Sequence, residues 1–170
     1  MNEPDAPGPA VRRAVPADLP SAGRLGALLV GTHHAFDARR FLAATEATPA
    51  AYASFLAAQL EKPDAAVLVA VEGGEVIGYA YAAVEGPDYL ALRGPAGILH
   101  DLVVDPAHRG RGVGRLLLDA ALAFLRERGA PRAVLWTAEG NASAQRIFAA
   151  GGFRRTMVEM TRELDGPGPA

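Results

Sequence analysis

The sequence predicts an α/β fold in a single domain, a mixed sheet with helices on both faces. Three observations predict it. Apolar periodicity and turn signals give the element order β, α, α, β, β, β, α, β, α, β, which a sheet covered on both sides accommodates. Gly73-Gly74 between two apolar runs marks a two-residue hairpin. Gly97 to Arg115, GILHDLVVDPAHRGRGVGR, passes from strand through an arginine- and glycine-rich turn into a helix.

At 170 residues with 50% hydrophobic content, the chain can bury one core and is too short for two ordinary domains. The absence of cysteine excludes a disulfide framework, a thiolate metal site and a cysteine nucleophile. A formal charge of -2 gives no electrostatic case for nucleic acid. The opening MNEPDAPGPA lacks the basic start and apolar run of a signal peptide, and no apolar run approaches the roughly eighteen residues of a membrane span. The expectation is a soluble, cytoplasmic protein that engages neither nucleic acid nor membrane.

Residues 1–10 and 165–170 are rich in Pro, Gly and Ala and offer no apolar face to bury, so they are expected to be disordered tails around a domain of residues 11–164. Val11 to Val15 alternates as a first strand. Pro16-Ala17-Asp18 caps a helix carrying Leu19, Leu25, Leu28 and Leu29, expected to end near Gly31. Thr32 to Ala38 has no clear period, and Tyr52, Phe55, Leu56 and Leu60 mark a second helix over 49–60. Ala65 to Val71 and Val76 to Val84 are the hairpin strands, with Tyr79 and Tyr81 on the face of Ile77. Glu85 to Ala96 holds two prolines and two glycines and reads as an irregular loop able to fold over a substrate. After the central strand and its turn, Val113, Leu117, Ala120, Ala121 and Phe124 give a helix ending at Gly129. Arg132 to Thr137 is a strand, Ala142 to Ala150 a short helix with Ile147 and Phe148 inward, and Phe153 to Leu164 one or two final strands. Trp136 and Phe124 are expected in the core.

Gly110, Gly112 and Gly114 remove side chains where the backbone turns, and the first N–H groups of the next helix have no intrahelical partner, so the turn suits an anion. A P-loop would end in Gly-Lys-Ser/Thr, but the single lysine is Lys62; a dinucleotide fingerprint would read GxGxxG, where this turn reads GxGxG. The segment resembles the acetyl-CoA pyrophosphate loop of the GCN5-related N-acetyltransferase (GNAT) family, whose pattern (Arg or Gln)-x-x-Gly-x-(Gly or Ala) is met by Arg109, Gly112 and Gly114. A second family signature is Asn-x-x-Ala after a strand, followed past a short helix by Gly-Phe. Asn141, Ala144, Gly152 and Phe153 meet it. The resemblance covers about residues 11–164 and implies the GNAT fold, a mixed, mostly antiparallel sheet with splayed central strands.

The resemblance also implies site residues. Arg109 and the N–H groups of Gly110, Arg111, Gly112, Val113, Gly114 and Arg115 would hold the pyrophosphate of acetyl-CoA. Backbone N–H of Leu102, Val103 and Val104 would meet the acetyl carbonyl where the central strand bulges and splays. In relatives reading Ile-Glu-Asp a glutamate draws the proton off the amine; here His100 takes its place and Asp101 keeps the aspartate's. Strand alternation lets only one of the two face the active site. His100 is favoured, because an ordinary imidazole pKa of about 6.5 suits proton removal near neutrality. The alternative is that His100 is a packed polar residue bonded to Asp101 or to backbone. Counting from Asn141, Phe148 falls where the family usually has a tyrosine near the cofactor sulfur, assigned as general acid. Phenylalanine cannot donate a proton, so either the thiolate leaves unassisted or water or one of Tyr52, Tyr79, Tyr81 and Tyr89 serves. His33 and His34 are adjacent, with no third ligand at helical spacing, which makes a poor metal site, and no metal is expected.

The sequence thus reads as an acetyl-CoA-dependent N-acetyltransferase acting on a primary amine, of a small molecule or of a protein or peptide, by direct attack and not through an acyl-enzyme. Phe148 motivates an alternative, a non-catalytic acyl-CoA-binding or sensing module; a nucleotide-binding regulator, which would bind ATP or NAD, is a third reading. The acceptor stays open because the first two helices, their loop and the Glu85 to Ala96 segment carry least pattern. Oligomeric state is open too, and an exposed terminal strand pairing with a second copy is the route to a homodimer.

Overall fold

In the computed structural model, which describes residues 8–164, five strands lie side by side in sequence order. They are β1 (Ala10–Arg13), β2 (Ala65–Glu72), β3 (Glu75–Glu85), β4 (Ala96–Val104) and β5 (Ala133–Leu135). The first three pairings are antiparallel and β4–β5 is parallel, giving the mixed, mostly antiparallel sheet. Helices α1 (Leu19–Phe36) and α2 (Thr48–Leu60) cover one face, and α3 (Val113–Glu127) and α4 (Ala142–Ala150) the other. No helix among the described residues is long and apolar enough to cross a membrane.

Two cores follow from this layering. On the α3 side, Val113, Leu117, Leu118, Ala121, Phe124 and Leu125 recur at helical spacing and pack against Leu68, Ala80, Ala82 and Leu99. On the α1–α2 side, Ala22, Leu25 and Leu56 meet Val67, Val69, Tyr79 and Val103. Strand β2 feeds both cores, which is why Ala65 to Ala70 is a continuous buried run. The β2–β3 hairpin turns through Gly73 and Gly74 at φ +58 and +85, the left-handed pair that a two-residue turn of this hand demands.

Several expectations need correction. Strand β3 carries a bulge next to Ile77: Ala70 pairs with Gly78 but Val71 pairs with Val76. The unpaired residue flips to the other face, so Ile77 lies in the α3-side core while Tyr79 and Tyr81 lie in the α1–α2 core. Helix α1 runs past Gly31 to Phe36, because one interior glycine costs only about 1 kcal/mol and tertiary packing outweighs it. Strand β5 has three residues, and Trp136 just beyond it is 61% exposed, not core. Residues 153–164 form no strand. A ladder needs a neighbouring edge as well as apolar residues, and among the described residues no strand pairs with this segment: Arg155 and Glu159 make exposed ion pairs to Glu139 and Arg40, and Met157, Val158, Met160 and Leu164 stay exposed. Of the expected tails, residues 1–7 and 165–170 lie outside the described residues, and Ala10 already belongs to β1.

Candidate active site

Strand β4 leads directly into the glycine-rich turn. It ends at Val104, a 3₁₀ turn spans Pro106–His108, and α3 starts at Val113. Gly110 and Gly112 have φ +75 and +82, a region costly for residues with a Cβ, and Gly112 is the residue that caps α3. The N–H groups of the five residues from Gly110 to Gly114 meet no acceptor among the described residues. Arginines brace the turn: Arg109 Nε donates to Val104 O at 3.1 Å, Arg111 pairs with both Glu72 carboxylate oxygens at 2.7 and 2.9 Å, and Arg115 reaches Ala150 O at 3.2 Å and Asp119 at 2.8 Å. A fixed run of open donors at a helix start fits a diphosphate.

Upstream of that turn the sheet opens. Strand β5 pairs with β4 at Gly97, Ile98 and Leu99, so among the described residues none pairs with 100–104 on that side. On its other side β4 bulges: Tyr81 pairs with Asp101 but Ala82 pairs with Leu99, leaving His100 as the extra residue. The bulge overturns the alternation argument. Leu99 and Leu102 pack on the α3 side, whereas Asp101 and His100 both turn toward residues of the α1–α2 side.

Asp101 is 9% exposed, and its Oδ2 accepts from Tyr52 Oη at 2.9 Å and Tyr79 Oη at 3.0 Å. Burial pushes its carboxyl above the ordinary aspartate range, against the two tyrosine hydrogen bonds that favour the charged form. Burial, then the nearby Asp101 charge, pushes both tyrosine hydroxyls up, which keeps them protonated as donors. His100 stacks on Tyr81 with ring centroids 4.7 Å apart, and its Nε2 lies 2.9 Å from Glu85 Oε1. Tyr81 Oη donates to Gln59 Oε1 at 3.0 Å, and Phe55 packs edge-on against the Tyr81 ring. Tyr52 and Phe55 also line an apolar hollow of about 320 Å³ between the second half of α1, residues 42–47 and α2, with no charged residue among the described residues that line it.

The remaining expected site residues are placed as follows. Val103 is buried on the α1–α2 side and Val104 packs on the α3 side. Asn141 caps α4 by accepting from Ala144 N at 3.1 Å. Phe148 is 8% exposed in the α3-side core, edge-on to Phe153. His33 Nδ1 lies 2.9 Å from Leu29 O and His34 Nδ1 2.9 Å from Phe41 O, so the two point to separate backbone partners. Tyr89 sits on an exposed loop. Glu85, Arg93 and Gln59 carry no signal in the sequence as site residues. Only carrying the hairpin register through β3 and across the β4 bulge brings Glu85 beside His100.

Residues 32–153 match the family described as Acetyltransferase (GNAT) family. Over 100 residues the chain is 36% identical to a mycothiol acetyltransferase of Thermobispora bispora, which covers 56% of this chain and 32% of that protein. Over 95 residues it is 43% identical to the mycothiol acetyltransferase of Clavibacter sepedonicus, covering 55% and 29%. The aligned part is thus about a third of the length of these relatives. Among solved structures, a GCN5-related N-acetyltransferase from Ralstonia eutropha superposes with TM-score 0.68 at 26% identity, covering 94% of this chain and 100% of that one. The aminoglycoside N-acetyltransferase AAC(6')-Iy in complex with CoA superposes with TM-score 0.73 at 20% identity, covering 97% and 100%.

Proposed function

The chain belongs to the acetyltransferase (GNAT) family, and from that premise we propose that it transfers the acetyl group of acetyl-CoA to a primary amine by direct attack. The observation that carries the proposal is the continuity of β4 with the turn: an edge at 100–104 that no strand among the described residues pairs with on that side runs into five consecutive N–H groups at 110–114 with no acceptor among those residues. Acetyl-CoA would supply an acyl thioester. The N–H groups of Gly110 to Gly114 hold the diphosphate, each charge-assisted bond contributing about 1.5–3 kcal/mol. The free edge at Leu102 to Val104 offers donors to an acyl carbonyl. His100 takes the amine proton, and the uncharged hollow beside Tyr52 and Phe55 receives an acceptor with an apolar body. With no cysteine in the chain, attack by the amine itself needs no thiol intermediate.

The test is thiol release from acetyl-CoA over a panel of primary amines, with calorimetry of CoA binding alongside. Turnover with at least one amine supports the enzyme reading. Tight CoA binding with no turnover on any amine would favour the non-catalytic acyl-CoA-binding module that Phe148 motivates. Binding of ATP or NAD in place of CoA would sink both.

A further inference from the structure

Glu85 stands at the end of β3, opposite Ala96, four residues before His100 on the neighbouring strand. Its two carboxylate oxygens have separate partners. Oε1 lies 2.9 Å from His100 Nε2, and Oε2 accepts from Arg93 Nη2 at 3.0 Å. Arg93 comes from the root of the 86–95 loop, where Asp88 and Arg93 form a backbone bridge. Its side chain is only 10% exposed, and its Nη1 donates to Gly94 O at 3.2 Å and more weakly to Gly86 O at 3.4 Å. The loop tip carries exposed Tyr89, Leu90 and Leu92, but its root is pinned onto Glu85.

A carboxylate oxygen accepts hydrogen bonds and has no proton to give. The proton on the short contact to His100 therefore sits on Nε2, which leaves Nδ1 with its lone pair. Nδ1 has no hydrogen-bond partner among the described residues, and the side chain is 33% exposed. The Tyr81 ring lies parallel to the imidazole, with 16° between the planes, and Tyr81 is itself held by Gln59. Two constraints thus act on one ring: Tyr81 sets its plane and Glu85 sets its rotation and tautomer.

We propose that Glu85, clamped by Arg93, is a positioning residue that holds His100 as the Nε2–H tautomer and presents Nδ1 as the atom that takes the proton from the amine. The proposal rests on the reading of His100 as the proton acceptor. When Nδ1 takes that proton the ring becomes an imidazolium, and the Glu85 carboxylate 2.9 Å from Nε2 stabilises the charge.

The experiment pairs nitrogen NMR of histidine-labelled protein with steady-state kinetics on acetyl-CoA and phenethylamine or whichever panel amine turns over. In the wild type His100 is expected as the Nε2–H tautomer. Glu85→Ala should move it toward a mixture and lower kcat by about 10-fold or more, between the roughly 10- to 100-fold for partners of metal-bound histidines and the roughly 10⁴-fold for the orienting aspartate of a serine-protease histidine, with KM for acetyl-CoA unchanged. Glu85→Gln keeps an acceptor oxygen in place and should recover part of that loss. A wild-type His100 found as the Nδ1–H tautomer overturns the proposal, as does a Glu85→Ala enzyme with full kcat while His100→Ala has lost it. If His100→Ala itself keeps its rate, the proton-acceptor reading falls and the positioning role falls with it, an outcome distinct from failure of Glu85 alone.

Discussion

The two halves of the candidate site are made of different material. The turn from Arg109 to Gly114 offers backbone N–H groups, set by two left-handed glycines in one short stretch of chain. The acceptor half offers side chains from α2, β3 and β4: Tyr52, Tyr79, Tyr81, Glu85, His100 and Asp101, brought together by a hairpin and a bulge. A backbone site tolerates almost any side chain that does not block it, and fails when one does. A side-chain site depends on each functional group, and its parts can be removed one at a time.

The sharpest way to break the first half is Gly112→Glu. A Cβ at Gly112 meets nothing within 4 Å, so the side chain fits, but at φ +82 it adds backbone strain of about 1–2 kcal/mol. Gly112→Ala carries the same strain without the charge. Losing two or more charge-assisted bonds, with repulsion added, should weaken CoA binding about 10⁴-fold or more in the glutamate variant. Calorimetry should find the alanine variant much closer to wild type. Equal affinities for glutamate and wild type in folded protein would remove the diphosphate assignment.

The second half is broken by His100→Ala, expected to lower kcat about 10²- to 10⁴-fold, the usual contribution of a general base, while CoA affinity stays constant. If Asp101→Ala loses the rate and His100→Ala keeps it, the proton passes to the buried carboxylate instead.

Asp101 sharpens the comparison through stability. Its carboxyl is raised in the folded state by burial, so the folded protein holds the proton more tightly than the unfolded chain. Its contribution is neutral below the ordinary aspartate pKa and becomes a cost as pH rises through the folded value. Asp101→Asn keeps an acceptor for Tyr52 and Tyr79 and removes that cost. The melting temperature of the variant relative to wild type should therefore rise with pH from about pH 4 upward. A difference that is flat with pH would mean that the two tyrosine bonds cancel the burial.

This contrast also explains what the sequence could and could not disclose. The backbone of the turn was legible because Gly110 and Gly112 take positive φ, and the hairpin because both of its central glycines do. That the central strand leads through the turn into a helix was equally legible. The facing of His100 and Asp101 was not, since alternation predicts one inward residue and a bulge at His100 breaks the alternation. The same failure occurs at Ile77, where another bulge moves one residue to the opposite face. Residues 153–164 carry apolar side chains that suggest a strand, yet among the described residues no ladder neighbour receives them, and pairing is not a property that a segment carries alone.

Phe148 gives the smallest expected effect and joins the two halves. Its ring is 8% exposed on the α3 side, edge-on to Phe153, on the helix that Asn141 caps. Phe148→Tyr adds one hydroxyl, and that hydroxyl has two possible destinations. If it stays within the apolar core with no partner, it costs about 1–3 kcal/mol, visible as a lower melting temperature with no gain in rate. If it reaches the gap where β4 and β5 part beyond Leu99, it can donate a proton to a leaving thiolate. The thiolate is a modest base and departs without much help, so the gain should fall well short of the hundredfold or more of a full general acid, and should be largest for weakly basic amines. The expected outcome is this modest rise in turnover with an unchanged melting temperature. A fall in both rate and melting temperature would make Phe148 a core residue only, and would place any proton donor for the thiolate elsewhere, with the hydroxyls of Tyr52 and Tyr79 across the sheet already committed to Asp101.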